Sequence, residues 1–322
     1  MSVLSIFKRK GANGLGFSTT AEEATEGIDL SGKRVLITGV NSGIGLETAK
    51  VMSARGACVL GLSRTQVKSD SISHLLNENY IALECELSEP ESILRCIEVI
   101  ESTGHKIDII ICNAGIMAVP DLTIKYGVEL QFLTNHLGHF LLVNSLINML
   151  NEKARIVIVS SVAHKVLAPK NGIEFGNFSG ENTYEPHRAY GHSKLANILF
   201  SNEFSKKYSS YGLTSNAVHP GVIRTNLLRN YNPFMRHGAR VVEGLFFKNV
   251  HQGAATQCYV GTNAGLEGVT GKYFVDCNLS NPSDNAKDSV MAARLWEESE
   301  NIVENTFGIK LVTKIGSDRK AF

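Results

Sequence analysis

From residue 33 onward, short apolar runs alternate with longer amphipathic ones. The runs 34–38, 58–62, 81–85, 107–112, 155–160 and 214–218 are apolar without a polar face, which predicts strands covered on both sides. Between them, 44–55, 90–102, 128–150 and 189–211 carry helical spacing. Strand, helix, strand in sequence requires right-handed crossovers, so the strands are predicted to lie parallel. A further strand near 272–275 and a last helix around 284–299 complete an α/β fold: a doubly wound parallel sheet of about seven strands with helices on both faces. Residues 1–31, rich in Gly, Ser, Thr and Glu, read as a flexible N-terminal arm, and 32–322 as one domain. Two long connections, 162–188 and 221–250, lie where loops shape ligand sites, and the second is the expected substrate loop.

Composition narrows the partners. With 322 residues, 43% of them hydrophobic, the chain has material for one large core. A formal net charge of +1 gives no general field toward nucleic acid or an anionic membrane, so a small molecule is the expected partner and nucleic acid is not. The six cysteines form no C-x-x-C pair and most sit in apolar runs, which suits a reducing, cytoplasmic setting. No stretch reaches the roughly 20 continuous apolar residues of a transmembrane helix. The first ten residues, with Lys8, Arg9 and Lys10, admit two readings: a frayed terminus, or a weak targeting or membrane-touching segment.

The first strand runs into Thr38-Gly39-Val40-Asn41-Ser42-Gly43-Ile44-Gly45 and then directly into a helix. A glycine-rich turn in that context lets backbone amides approach a pyrophosphate at the helix N-terminus. The second strand ends in Ser63-Arg64 with no acid nearby. A carboxylate there would hold the ribose 2′-hydroxyl of NAD, whereas an arginine can pair with a 2′-phosphate, so NADP(H) is favoured over NAD(H). Glu86-Leu87 closes the third strand, where a carboxylate can meet an adenine edge, and Asn113-Ala114-Gly115 closes the fourth, where small residues let a cofactor lie against backbone. Each feature alone is also ordinary turn chemistry.

Tyr190-Gly191-His192-Ser193-Lys194 opens a helix. Positions i and i+4 share a helical face, so Lys194 can sit beside Tyr190 and favour its phenolate. Such a tyrosine can exchange a proton with a substrate oxygen while a hydride moves at the adjacent carbon. Ser160-Ser161 ends the fifth strand at the edge where ligands bind in open sheets. Asn135 lies inside a long helix against its propensity, which points to a task such as holding a water or a backbone carbonyl.

In order along the chain, 38–45, 113–115, Asn135, 160–161, 190–194 and Pro220-Gly221 resemble the motifs of the short-chain dehydrogenase/reductase family over about residues 33–277. Finer features resemble its retinol dehydrogenase and WW-domain-oxidoreductase branch, with the related chloroplast-envelope members. They are 17–27 leading into Lys33, Asn135-His136-Leu137-Gly138-His139-Phe140, Ser193 to Asn197, and His219-Pro220-Gly221. A WW module is absent, since Trp296 is the one tryptophan. The resemblance implies a Rossmann-type fold and a catalytic set of Asn135, Ser161, Tyr190 and Lys194. Tyr190 would be the acid/base, Lys194 would bind the nicotinamide ribose and lower the tyrosine pKa, Ser161 would polarise the substrate oxygen, and Asn135 would hold a relay water. Asn113 would help seat the cofactor, and Val222 and Thr225 would contact its carboxamide end. Three departures bear on cofactor affinity: Glu86 for the usual aspartate, Cys112 for an asparagine, and Ser63 where the branch often has cysteine.

The expected substrate is a small apolar alcohol or carbonyl compound, of retinoid, steroid or lipid type. The alternative is a protein that binds NADP(H) as a sensor or scaffold. His136 and His139 lack an accompanying carboxylate or thiol cluster, so no metal is expected. The stripe Leu141, Leu142, Leu146, Ile147, Leu150 is core or a homodimer surface. Leu245-Phe246-Phe247 is a lid, core, or a peripheral membrane contact.

Overall fold

The computed structural model describes residues 10–223 and 247–311. Eight strands form one sheet: β1 (Arg34–Thr38), β2 (Cys58–Ser63), β3 (Ile81–Glu84), β4 (Ile107–Cys112), β7 (Leu150–Val159), β8 (Thr214–His219), β9 (Tyr273–Val275) and β10 (Asn278–Ser280). A separate two-stranded ladder pairs β5 (Ile124–Lys125) with β6 (Val128–Glu129). The order across the large sheet is β3-β2-β1-β4-β7-β8-β9-β10, parallel throughout except for the antiparallel β9–β10 hairpin. Chain order therefore reverses between β1 and β4, and the ends of these two strands flank a crevice of the kind in which open α/β sheets bind ligands.

The strands are apolar on both faces because both faces are covered. Leu36, Leu60, Ile110 and Ile156 pack with Phe140 and Phe200 on one side. Val35, Ile37, Val59, Ile109 and Val157 pack with Ala254 and Cys258 on the other. The helices Gly43–Ala54, Pro90–Ser102 and Pro186–Tyr208 fall where the periodicity placed them. No helix among the described residues is long and apolar enough to cross a membrane.

Four expectations need correction. The span 128–150 is not one helix: Val128 and Glu129 pair in β6, Glu129 caps the helix by accepting from the amides of Gln131 and Phe132, and Leu150 already pairs with Ile107. The helical part runs Leu130–Phe132, π-helical Leu133–Leu137, then Gly138–Ser145. It is buried on every side, so no polar stripe marks its ends. The last helix is Ser289–Asn305, shifted because Asp288 caps it through the amides of Val290 and Met291.

The described part of the N-terminal arm is not loosely held. Thr20 and Glu23 form a reciprocal capping box around Ala21–Ala24, while Ala21, Ala24 and Leu30 are buried. Finally, an unpredicted helix, Val250–Thr262, starts at the end of the expected substrate loop and is opened by an Asn249–Gln252 capping box; residues 224–246 of that loop lie outside the described residues.

Helix Ser289–Asn305 lies across the outer face of the 130–145 and 186–208 helices. Trp296 meets Phe140 edge-on at 5.0 Å and Phe200 at 5.7 Å, and Ser299 Oγ bonds His136 Nε2 at 2.9 Å. Leu141, Leu142, Leu146, Ile147 and Leu150 are fully buried beneath this cover, so the stripe is core and offers no surface to a second chain. Trp296→Ala is expected to lower the unfolding free energy by about 3–5 kcal/mol, measured by urea titration followed by circular dichroism. A loss below 1 kcal/mol would mean that the helix contributes little to this core.

Candidate active site

The turn after β1 is shaped by close approach. Gly39 has φ +75°, and a Cβ at Gly45 would lie 2.1 Å from the Gly39 carbonyl oxygen, so only glycine allows the helix to start there. Ser42 is the N-cap of helix Gly43–Ala54 without a side-chain capping hydrogen bond, which leaves the amides at the positive end of this 12-residue helix uncapped by that side chain.

Across the crevice, Thr38 fastens the β4 end. Its hydroxyl accepts from the amides of Asn113 and Ala114, both at 2.9 Å, and pairs with His139 Nε2 at 2.9 Å. The His139 Nδ1 faces the Asn135 carbonyl at 3.0 Å, so Nδ1 carries the proton and Nε2 accepts from Thr38. Burial pushes the His139 pKa down to about 4, which keeps the ring neutral.

The side chain of Asn113 is committed to the protein, donating to the Thr38 carbonyl at 2.9 Å and accepting from Gln257 at 3.3 Å. Its expected contact with a cofactor is therefore left to the backbone of 113–115, where Gly115 is exposed. Leu87 is buried in the core, and Glu86 closes its own turn by accepting from the Ser88 amide and hydroxyl. Ser63 ends β2 with a buried hydroxyl that has no partner, while Arg64 beside it is exposed. Gly221 is half-buried and Val222 is 47% exposed after Pro220; Thr225 lies outside the described residues.

Tyr190, Ser161 and Lys194 come together at the carboxyl ends of β7 and β4. The two serines separate cleanly: Ser160 is buried and donates to the Lys194 carbonyl at 2.7 Å, whereas Ser161 is half-buried beside the Tyr190 phenol and accepts from the Ala163 amide at 3.2 Å. Lys194 Nζ lies 5.6 Å from the centre of the Tyr190 ring and donates to the Val159 carbonyl at 3.0 Å. The ring and the ammonium are thus neighbours, as i and i+4 on one helix must be.

The expected acidification of Tyr190 by Lys194 is not what this state shows. Burial pushes the phenol up to about 12, opposed by the Ser161 hydrogen bond, and burial holds Lys194 down to about 8. At neutral pH the phenol rests protonated.

Asn135 stands in the π-helical turn, where its side chain grips the backbone. It accepts from the Ile116 amide at 2.8 Å and donates to the Ile116 carbonyl and the Ser193 hydroxyl, both at 2.9 Å. Both amide protons are therefore used within the protein, and holding backbone, one of its two expected tasks, is what the side chain does. His136 and His139 point to different partners, Ser299 and Thr38.

Sequence reasoning missed Gln257, Gly253 and Lys248, and it met His139 only as a motif residue and a metal-ligand candidate, without its bond to Thr38. Gln257 donates to Thr48 and Asn113, linking the glycine-turn helix to the β4 end. A Cβ at Gly253 would reach Ile223 at 2.3 Å and Ile44 at 2.7 Å. Only the Asn249–Gln252 capping spacing announced the helix that carries Gln257 and Gly253.

A family model of short chain dehydrogenases matches residues 33–236. The chain is 40% identical over 314 residues to short-chain dehydrogenase TIC 32 B, chloroplastic, of Brassica napus, covering 92% of this chain and 97% of the relative. It is 37% identical to the WW domain-containing oxidoreductase of Gallus gallus, over 90% of this chain and 73% of that one. Retinol dehydrogenase 12 of Mus musculus is also 37% identical, over 85% and 87%.

Among solved structures, an uncharacterized protein from Mycobacterium paratuberculosis matches with a TM-score of 0.72 at 30% identity, covering 87% of this chain and 97% of that one. Angucycline C-6 ketoreductase LanV, solved with NADP bound, shares the fold at a TM-score of 0.61 and 22% identity, over 77% and 95%. The chain belongs to the short-chain dehydrogenase/reductase family, oxidoreductases that act on CH–OH groups.

The two serines can be told apart experimentally. Ser161→Ala should lower turnover by about 10²–10³-fold with little change in melting. Ser160→Ala should instead lower the unfolding free energy by about 0.5–1.5 kcal/mol through the lost hydrogen bond to the Lys194 carbonyl. Equal activity losses without a stability difference would reverse the assignment.

Proposed function

We propose that this chain transfers a hydride between NADP(H) and the alcohol or carbonyl carbon of a small apolar substrate. The observation that carries the proposal is the grouping of the Tyr190 phenol, the Ser161 hydroxyl and the Lys194 ammonium at the carboxyl edge of the sheet, near the crevice where strand order reverses. Three further features fit a dinucleotide phosphate: the free helix end at Ser42, the partnerless buried hydroxyl of Ser63, and exposed Arg64 with no acid on that strand end. The apolar substrate class draws support from the likeness to retinol dehydrogenase 12. When bound, the nicotinamide supplies the hydride donor or acceptor.

The protein's own groups handle the proton. Ser161 donates to the substrate oxygen and fixes its direction. Tyr190 then gives its proton to that oxygen as negative charge develops there, and the Lys194 ammonium stabilises the phenolate left behind. Because the resting phenol is protonated, carbonyl reduction starts from the resting form, whereas alcohol oxidation first requires that proton to leave. Asn135 acts behind these groups by fixing the Ile116 backbone and Ser193.

Below a pH of about 8 Lys194 is charged and Tyr190 keeps its proton, so kcat for carbonyl reduction should be level there and fall as pH rises through about 8. Lys194→Met should remove that falling limb; a limb of unchanged position would assign it to another group. Tyr190→Phe should lower NADPH oxidation with a panel of aldehydes and ketones by about 10²–10⁴-fold. Tight NADPH binding with no Tyr190-dependent turnover on any of them would favour the sensor reading. Arg64→Ala should weaken NADPH by about tenfold or more and leave NADH nearly unchanged; equal losses would remove the 2′-phosphate contact.

A further inference from the structure

We propose that Lys248 is a positioning residue for the nicotinamide side of the site, and that the N-terminal arm, through Phe17, keeps it in place. The proposal rests on the NADP(H) reading above. Lys248 grips the segment after β8 from two directions. Its amide donates to the Val222 carbonyl at 2.9 Å, in a parallel bridge with Ile223. Its side-chain stem crosses Gly221, where φ is +97° and a Cβ would meet the Lys248 Cδ at 2.6 Å. Backbone and stem together set the path of 221–223, the stretch expected to meet the carboxamide end of the cofactor.

The lysine side chain is fully buried, and its Nζ lies 2.6 Å from Asp276 Oδ1 without hydrogen-bond alignment. A buried ammonium with one imperfect partner is costly relative to an apolar residue of the same shape. Something must therefore hold the pair together. The face of Phe17 covers the ammonium, with Nζ 5.2 Å from the ring centre, a cation–π contact that strengthens when water is excluded.

Asp276 itself sits in a strained turn. It and Cys277 have φ +52° and +61°, the positive pair of a two-residue hairpin loop between β9 and β10, in a place usually taken by Asn or Gly. The arm holds this turn closed: Asn13 Nδ2 donates to the Cys277 carbonyl at 2.8 Å, and Asn278 Nδ2 donates to the Leu15 carbonyl at 3.1 Å. From the other side Cys277 donates its amide to Thr256 Oγ1 at 3.2 Å.

The arrangement also reaches the catalytic serine. His219, the last residue of β8, accepts from the amide of Val162, the neighbour of Ser161, at 3.3 Å. A shift of the segment that follows His219 would therefore be felt on both sides of the reacting carbon. Residues 13–17 act on the chemistry through Asp276 and Lys248 without touching substrate or cofactor.

The test uses the full chain and two ligands that differ by the nicotinamide half. Calorimetric titration of Lys248→Met should show NADPH weakened by about tenfold or more, with 2′,5′-ADP binding unchanged because the adenosine end is intact. In steady state, KM for NADPH should rise more than kcat falls. Phe17→Leu, which keeps apolar volume and removes the ring face, should shift NADPH in the same sense by about two- to fivefold with an unchanged melting midpoint, and it decides the matter if Lys248→Met does not fold.

Parallel losses of NADPH and 2′,5′-ADP, or no loss of either, would overturn the proposal. If the parent chain binds no 2′,5′-ADP, the NADP(H) reading fails separately. The same comparison of NADH with ADP-ribose then decides the role of Lys248.

Discussion

A threonine hydroxyl has one proton to give and two lone pairs to offer, and Thr38 uses all three where strand order reverses. Each bond goes to a different part of the site: two amides of the β4 turn, and the imidazole that reaches the Asn135 carbonyl. The crevice thus has a fixed width before any ligand arrives. Preorganisation of this kind lets a site spend little energy on rearrangement when charge develops. The neutral state of His139 is part of the arrangement, since a second ring proton would leave Thr38 without its acceptor.

Two cations stand close to this crevice, and the fold treats them differently. Lys194 is laid on the Val159 carbonyl and kept near the edge of ionisation, so its charge can respond to a neighbour. Lys248 is paired with a carboxylate and roofed by a ring, so its charge serves geometry. Burial alone does not separate these roles. The partners do, because a carbonyl dipole stabilises an ammonium less than a full negative charge does.

Much of this was legible in the chain. The strands announced themselves because they are apolar on both faces, and the order of short motifs placed Tyr190, Lys194, Ser161 and the 38–45 turn at one edge of the sheet. Periodicity failed where burial is complete: in 131–144 every residue is buried, and neither the β6 start nor the π-helical turn leaves a mark in polarity. It failed again at Lys248, since a single lysine beside an apolar residue reads as solvated unless its partner, 28 positions away at Asp276, is already known to be near. The described part of the arm, residues 10–31, was misread for the opposite reason. Its Gly, Ser and Thr composition suggests freedom, yet two small alanines, one leucine and a capping box suffice to dock it.

The cover provided by Ser289–Asn305 has a consequence for how the protein is made. Phe140 and Phe200 are synthesised long before Trp296, so on the ribosome they lack this part of their cover until Trp296 has emerged. The nucleotide-binding layers can assemble early, but their outer wall is finished last. A nascent chain halted short of that helix leaves this aromatic surface open, and whatever shields it during translation must be released in time for Ser289–Asn305 to dock.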